Sequence, residues 1–267
     1  MSSTGTRLDP ILAAVRERAL ARRQLRSVTD LRRDLQAEHA RRTRFVDAFS
    51  GPKFGFIAEC KRASPSAGSI SSEVDLLGRA KSYAQGGANA VSVLTEQDHF
   101  DGCADDLARV AAAGLPRLRK DFILDEGMVL ESVGMGADAI LLMAVCLPGQ
   151  QLQELRSLAA EAGLATLVEA HNEEELERSL AVDPDLIGIN ARDLTSFVVD
   201  VANIERLLPL VPEGGPVRVA ESGVRGLEEL RRVRAAGADA ALVGEALMRT
   251  GDPAETLRQW REALDAH

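Results

Sequence analysis

The 267-residue chain carries 32 Lys and Arg against 41 Asp and Glu, a net charge of −9, with 45% hydrophobic, 27% charged and 3% aromatic residues. This composition excludes disordered and collagen-like chains and fits one large α/β domain of about 250 residues or two small ones. Net acidity argues against sequence-independent nucleic-acid binding, no apolar run approaches the roughly 18 residues of a membrane span, and the N-terminus lacks a secretory h-region.

In the first 50 residues 11 arginines and no lysine stand against 6 acids. Leu8, Ile11, Leu12, Val15 and Ala19 recur at helical spacing behind Asp9 and Pro10, which read as an N-cap and a first-turn proline. A second helix is expected from about Thr29, with Leu31, Leu35, Phe45 and Phe49 on one side. The arginine run reads as the solvated face of docked helices. Residues 1–50 are therefore expected to form a helical extension packed on residues 51–267.

From Phe54 onward short apolar runs alternate with amphipathic stretches. The runs cover residues 54–60, 90–96, 117–122, 139–145, 165–171, 186–192, 217–222 and 240–247. Their near-continuous hydrophobicity marks strands buried on both faces, hence parallel strands. Eight such strands alternating with helices give a (β/α)₈ TIM barrel. An internal repeat agrees: Gly87, Gly136 and Gly237 each begin a Gly-Ala-Asn/Asp-Ala lead-in to a strand, and the missing member falls at 182–190. These glycines are expected as helix C-caps. The odd count of Cys60, Cys103 and Cys146, without CxxC spacing, predicts reduced thiols in a cytosolic protein, each a small hydrophobe, and no metal site.

In a parallel barrel chemistry sits where strands end. The polar residues at those ends are Glu59, Lys61, Glu96, Lys120, Glu169, Asn190, Arg192, Glu221 and Ser222. Cations and carboxylates converging on one mouth suit proton transfer, with pKa values set by mutual proximity. Ser222-Gly223 after strand seven and Gly244-Glu245 after strand eight read as a phosphate cradle, since glycine lets backbone N–H groups approach an anion. His39, His99, His171 and His267 read as structural or solvated.

The segment Ile57-Ala58-Glu59-Cys60-Lys61-Arg62-Ala63-Ser64-Pro65-Ser66 resembles a signature of the indole-3-glycerol-phosphate synthase family. Further segments similar to that family stand at 92–102, 118–123, 167–171, 187–194, 219–226 and 242–248, in family order. The resemblance implies a carboxy-lyase of tryptophan biosynthesis acting on 1-(2-carboxyphenylamino)-1-deoxyribulose 5-phosphate. An aryl carbon attacks the ketone, carbon dioxide leaves, and water is eliminated to give the indole, with no cofactor or metal. It implies Lys120 as general acid at the ketone oxygen, Glu169 as acid/base of dehydration, and Lys61 on the substrate anions and as proton donor when water leaves. It further implies that Glu59 and Asn190 position that lysine and the sugar hydroxyls, with Arg192 and Glu221 completing the polar ring. Ser64, Ser222, Gly223 and Gly244 match the phosphate cradle. Phe100, Phe122, Leu94, Leu141 and Leu194 would hold the aryl ring, though a plain core role is equally open to them. No nucleic-acid or membrane partner is expected, and the chain is expected to be a cytoplasmic monomer.

Two departures stand out. Ala67 follows Ser66 where many relatives have Lys, and Gly127-Met128 stand where relatives often have Tyr-Gln, which bears on loop order and substrate fit. A paralogue feeding a specialised indole pathway and a non-catalytic regulatory barrel are the alternative readings. The neighbouring isomerase of the pathway is disfavoured, because it needs a Cys base ending strand one and an Asp acid at strand six. Here Glu59-x-Lys61 and Asn190 occupy those places.

Overall fold

In a computed structural model, the described residues are 8–35, 39–64, 68–69, 75–194, 196 and 198–266. Eight parallel strands close a barrel: β1 (Gly55–Cys60), β2 (Ala90–Leu94), β3 (Arg117–Lys120), β4 (Ala139–Met143), β5 (Ala165–Ala170), β6 (Leu186–Asn190), β7 (Val217–Glu221) and β8 (Ala240–Val243). Each pairs with its sequence neighbours, and β1 closes the ring by pairing both β2 and β8. β1, β2, β4, β5, β6 and β8 are buried along their whole length, as the unbroken apolar runs require. β1 ends with its apolar run and the other seven strands stop one to four residues short of theirs, so the polar ends of those runs lie at the mouth.

The repeat in the sequence has a physical basis. Gly87, Gly136 and Gly237 take positive φ at helix ends, and at the missing member Asp183 takes the same left-handed conformation at φ 52°. Two residues further on stands an amide or acid: Asn89, Asp138, Asp185 or Asp239. Each accepts a hydrogen bond from the backbone N–H that opens the preceding strand, at Phe56 (2.9 Å), Arg117 (2.8 Å), Thr166 (3.0 Å) and Arg218 (2.9 Å). Even-numbered strands thus clip the bottom of odd-numbered ones. That explains why odd and even lead-ins differ in sequence.

The N-terminal segment forms three helices where two were expected: α1 (Asp9–Leu25), α2 (Val28–Arg33) and α3 (His39–Asp47). The Ser27 hydroxyl accepts from Asp30 N–H and caps α2. The α1 cap is one residue earlier than expected, with Leu8 at the cap position and Asp9 already in the first turn. Leu8, Ile11, Leu12, Val15 and Ala19 are all buried, as is Leu31, and Phe45 is fully enclosed.

The arginines are a solvated face only in part: Arg26, Arg32, Arg33 and Arg44 are exposed, but most of the run reaches carboxylates of the barrel. Arg22 and Arg23 reach Glu131 at 3.1 and 2.8 Å, Arg42 reaches Asp185 at 2.5 Å and Arg44 reaches Asp138 at 3.3 Å; Arg18 pairs with Glu96 at 2.7 Å and also with Asp98, and Arg32 pairs with Glu126. The basic extension is therefore matched to the acidic barrel, and partial burial of the carboxylates limits screening of these pairs. Gly127 belongs to the same surface. A Cβ there would collide with the Arg23 guanidinium, so this departure from the family makes room for an arginine of α1. It lies against the extension and does not line the mouth. Ala67 falls outside the described residues.

Candidate active site

The strand ends open into one cavity lined by Glu59, Lys61, Lys120, Glu169, Asn190, Arg192 and Ser222 on its polar side. Its apolar side includes Leu94, Phe100, Phe122, Leu141 and Leu194, all five of the expected ring-binding residues. Leu94, Phe122, Leu141 and Leu194 are also buried core residues, so core and wall are one role here. Leu8 and Ile11 of the extension line the same cavity, as do Glu96, Asp121 and Met143. Helical spacing assigns Leu8 and Ile11 only a packing role, because it reports a buried face and not what that face is buried against.

Period-two alternation sets the geometry. Leu118 and Lys120 point inward from β3, whereas Arg119 points outward and is 3% exposed; Asp121, just past the strand, borders the cavity while its carboxylate meets Arg119. There Arg119 donates to Asp121 at 2.8 Å, to Ser132 Oγ at 3.0 Å and to the Met128 carbonyl at 3.0 Å, bonding the strand to its helix. Inside, Lys120 Nζ lies 3.4 Å from Glu169 Oε2 and 3.3 Å from Glu221 Oε2. At the end of β1, Lys61 Nζ donates to Glu59 Oε1 at 2.7 Å. Two glycines make this possible. A Cβ at Gly188 on β6 would collide with the Glu221 carboxylate, and one at Gly244 would collide with the Glu59–Lys61 pair.

The loops are fixed by buried polar contacts. Asn190 Oδ1 accepts from Arg192 N–H at 2.9 Å, turning the chain after β6. Arg62 forks onto Asp106, a residue with no exposed surface, at 2.5 and 2.7 Å, tying the loop after β1 to the one after β2. Ser222 and Gly223 take successive left-handed conformations, φ 64° and 80°, after β7, and a serine held there is strained backbone of the kind that collects at binding sites. Gly244 caps the helix Glu245–Arg249. Ser64 lies on a two-residue strand pairing Ala63–Ser64 with Gly68–Ser69, and its side chain falls outside the described residues, as do Pro65 and Ser66.

Burial alone would lower the Lys120 pKa. The carboxyl groups of Glu221, Glu169 and Glu59 reverse this and hold the ammonium above its ordinary value. Burial would likewise raise Glu169, but Lys120, His171 and a hydrogen bond from Asn190 hold it below the usual carboxylate range. Glu221, buried and repelled by Glu169, is pushed up to about 8 despite its contact with Lys120. One of the two carboxyl groups therefore keeps a proton near neutrality, as like charges sharing a cation require. His171, expected as structural or solvated, is buried with Nε2 3.2 Å from Glu169 Oε1 and Nδ1 3.0 Å from Glu175 Oε2, and the two glutamates raise it to about 10 against the opposing effect of burial. A signal was available, since His171 follows Glu169 by two residues and shares its strand parity.

These shifts set a pH dependence of stability. The depressed Glu169 stabilises the fold above its unfolded pKa of 4.5, and that part is lost in acid. The raised groups act oppositely: the Glu221 part is fully present below 4.5 and lost as pH rises through about 8, and the His171 part is present below 6.5 and lost as pH rises through about 10. Melting temperature is expected to fall between pH 5 and 10, and Glu221→Gln to flatten the lower portion of that slope. Equal slopes for the variant and the parent in differential scanning fluorimetry would refute this.

Cys60 and Cys146 are buried, and burial pushes the Cys60 thiol up to about 12, consistent with small inert hydrophobes. Among the described residues, Glu96, Asp98 and His99 bring possible ligand atoms within 4.8 Å of one another. The Arg18 guanidinium already sits on Glu96 and Asp98, so a cation would have to displace it. No helix among the described residues is long and apolar enough to cross a membrane.

A family model described as indole-3-glycerol phosphate synthase matches residues 8–260. The chain belongs to the indole-3-glycerol phosphate synthase family. Relatives of that name include one from Mycolicibacterium smegmatis, 42% identical over 94% of this chain and 92% of the relative. Another, from Chromobacterium violaceum, is 42% identical over 94% of this chain and 96% of its own length. Among solved structures, the N-acetylmannosamine-6-phosphate 2-epimerase from Clostridium perfringens superposes with a TM-score of 0.59 at 18% identity, covering 82% of this chain and 96% of that one. The thiamine phosphate pyrophosphorylase from Pyrococcus furiosus gives 0.58 at 15% identity, covering 79% and 95%. These structural likenesses show the barrel alone. The family is one of carboxy-lyases of tryptophan biosynthesis.

Proposed function

We infer that this chain closes an indole ring on 1-(2-carboxyphenylamino)-1-deoxyribulose 5-phosphate, with loss of carbon dioxide and water. The observation that carries the reading is Lys120, a partly buried ammonium lining a cavity with an apolar wall, its proton held between Glu169 and Glu221. Lys120 protonates the ketone oxygen as the aryl carbon attacks. The apolar wall of Phe100, Phe122 and Leu194 holds the aryl ring and favours departure of the carboxylate. Glu169 removes the proton lost in dehydration. Lys61, held by Glu59, contacts the substrate anions and donates to the departing hydroxyl. Asn190 and Arg192 hold the sugar in place, and Glu221, behind the cavity wall, holds Lys120. Incubating the purified protein with the substrate and following indole fluorescence tests the reading, and a silent protein would end it.

Ser64, Ser222, Gly223 and Gly244 form the phosphate cradle of this proposal. Sulfate at high concentration is expected to bind against the backbone of Gly223 and Gly244 in a crystal soak. Density elsewhere in the mouth, with those loops empty, would count against the cradle. The extension of residues 1–50 acts as part of the site, through Leu8 and Ile11. We place the protein in the cytoplasm as a monomer.

A further inference from the structure

Lys120 sits almost evenly between two carboxyl groups, 3.4 Å from Glu169 Oε2 and 3.3 Å from Glu221 Oε2, and both glutamate side chains are 1% exposed. Two buried carboxyl groups sharing one cation do not both ionise near neutrality, so one of them keeps a proton. The lysine, equidistant, does not decide which. The second oxygens of the pair differ. Glu221 Oε1 lies against Gly188 of β6, in the space a Cβ there would fill, and has no hydrogen-bond partner among the described residues. Glu169 Oε1 instead makes an ion pair with His171 Nε2 at 3.2 Å. The imidazole is itself held from behind. Its Nδ1 meets Glu175 Oε2 at 3.0 Å, the same oxygen accepts from the His171 backbone N–H at 2.9 Å, and Asn172 Nδ2 donates to Glu175 Oε1 at 2.8 Å. His171 lines a second cavity between the loops that follow β5 and β6 and is not among the residues lining the mouth.

We propose that His171 is a positioning residue that selects Glu169, and not Glu221, as the ionised base of the mouth, without touching substrate. The proposal rests on the ring-closing reading given above. The imidazolium gives Glu169 a second cation, so the proton that the pair keeps goes to Glu221, whose other oxygen has only Gly188 before it. The same contact pins the Glu169 carboxylate between Nε2 and Nζ and fixes the plane in which it meets the mouth. Glu221 pushed up to about 8, and Glu169 held below the usual carboxylate range with a hydrogen bond from Asn190, agree with that arrangement. His171 Nε2 and Glu169 Oε1 are both buried, and the ring keeps its proton throughout, since the role is to place charge and not to pass protons. Beyond Glu169 stand Lys120 on β3, Glu59 on β1 and Glu221 on β7. Around the ring are Glu175 and Arg178 of the helix Glu173–Ala181, Cys146 after β4, and Arg192, Asp193 and Asp200 after β6.

Carbon NMR of protein labelled at the glutamate side-chain carboxyl tests this, with the signals of Glu169 and Glu221 assigned from Glu169→Gln and Glu221→Gln. In the parent near neutral pH, Glu169 should be ionised and Glu221 protonated. In His171→Gln and His171→Ala the proton should spread onto Glu169, moving the two signals in opposite directions. Their kcat should fall at least about 10-fold, with KM within about threefold. The acid limb of kcat should move to higher pH, because Glu169 has lost a cation. Glu175→Gln leaves the ring in place but removes one of the two carboxylates that keep it charged, and should act in the same direction to a smaller extent. The proposal is overturned if the parent carries the proton on Glu169, or if the variants leave both signals unmoved. It is also overturned if the signals move while kcat stays within about twofold of the parent, or if no variant folds, since the ring would then support the fold and not the base. A parent that makes no indole ends the ring-closing reading, and that failure is told apart because the carboxyl signals are read without substrate.

Discussion

Lys120→Met is expected to lower kcat by about 10²–10⁴-fold, the usual cost of losing a general acid, while leaving the melting temperature near that of the parent. Methionine keeps the bulk of the side chain and removes its proton and charge. The fold tolerates the change because the two carboxyl groups left facing each other need not both ionise. Glu221 already leans toward its protonated form, pushed up to about 8 by burial and by Glu169, so it can hold a hydrogen bond to Glu169 where the lysine stood. Arg119→Met should show the opposite pattern. Arg119 bonds Asp121, Ser132 and the Met128 carbonyl on the outer face of β3, so its loss leaves Asp121 buried with a weakened set of partners and lowers stability. Its kcat should stay within about tenfold of the parent. Steady-state kinetics beside thermal melts separate the two. A Lys120 variant that kept near-parental kcat, or that unfolded while Arg119→Met did not, would show that Lys120 is not the acid.

The barrel was legible because its signal is repeated. Eight apolar runs and the Gly-Ala-Asn/Asp-Ala lead-ins each restate the same rule, and the four clips at Asn89, Asp138, Asp185 and Asp239 are the reason for the spacing. Inward and outward residues followed parity. Glu59 and Lys61, Leu118 and Lys120, and Asn190 and Arg192 are pairs two apart that share the cavity or the barrel interior. The same rule carried to Glu169 and His171 would have brought the histidine into the cluster. Its other partner, Glu175, stands only four residues on, in the helix that follows. Contacts between distant segments are illegible, because neither segment's own sequence names its partner. The arginines of α1 look solvated when read alone, and only the assembled molecule places Glu96, Asp125 and Glu131 opposite them. Gly188 and Gly244 belong to this class too, for what they accommodate is a carboxylate or an ion pair from another strand.

Glu169→Gln is the second large effect, with kcat expected to fall by about 10²–10⁴-fold and KM to change little. Glutamine matches the shape of the side chain but can neither take up nor hold the proton lost in dehydration. The remaining charges rearrange in a definite direction. Repulsion from Glu169 helps keep Glu221 protonated, so removing that charge lets Glu221 ionise and become the counter-ion of Lys120, 3.3 Å away. His171 keeps Glu175 as its partner at 3.0 Å. The cluster therefore stays paired, and the variant should fold normally. Rescue by Glu221 is not expected, because Glu221 is not among the residues lining the mouth, whereas Glu169 is. Glu221→Gln supplies the contrast. It leaves Lys120 and Glu169 paired at 3.4 Å and should cost less in kcat than Glu169→Gln. Measured side by side, the reverse order, with Glu221→Gln inactive and Glu169→Gln near the parent, would assign the base to Glu221 and demote Glu169 to its support.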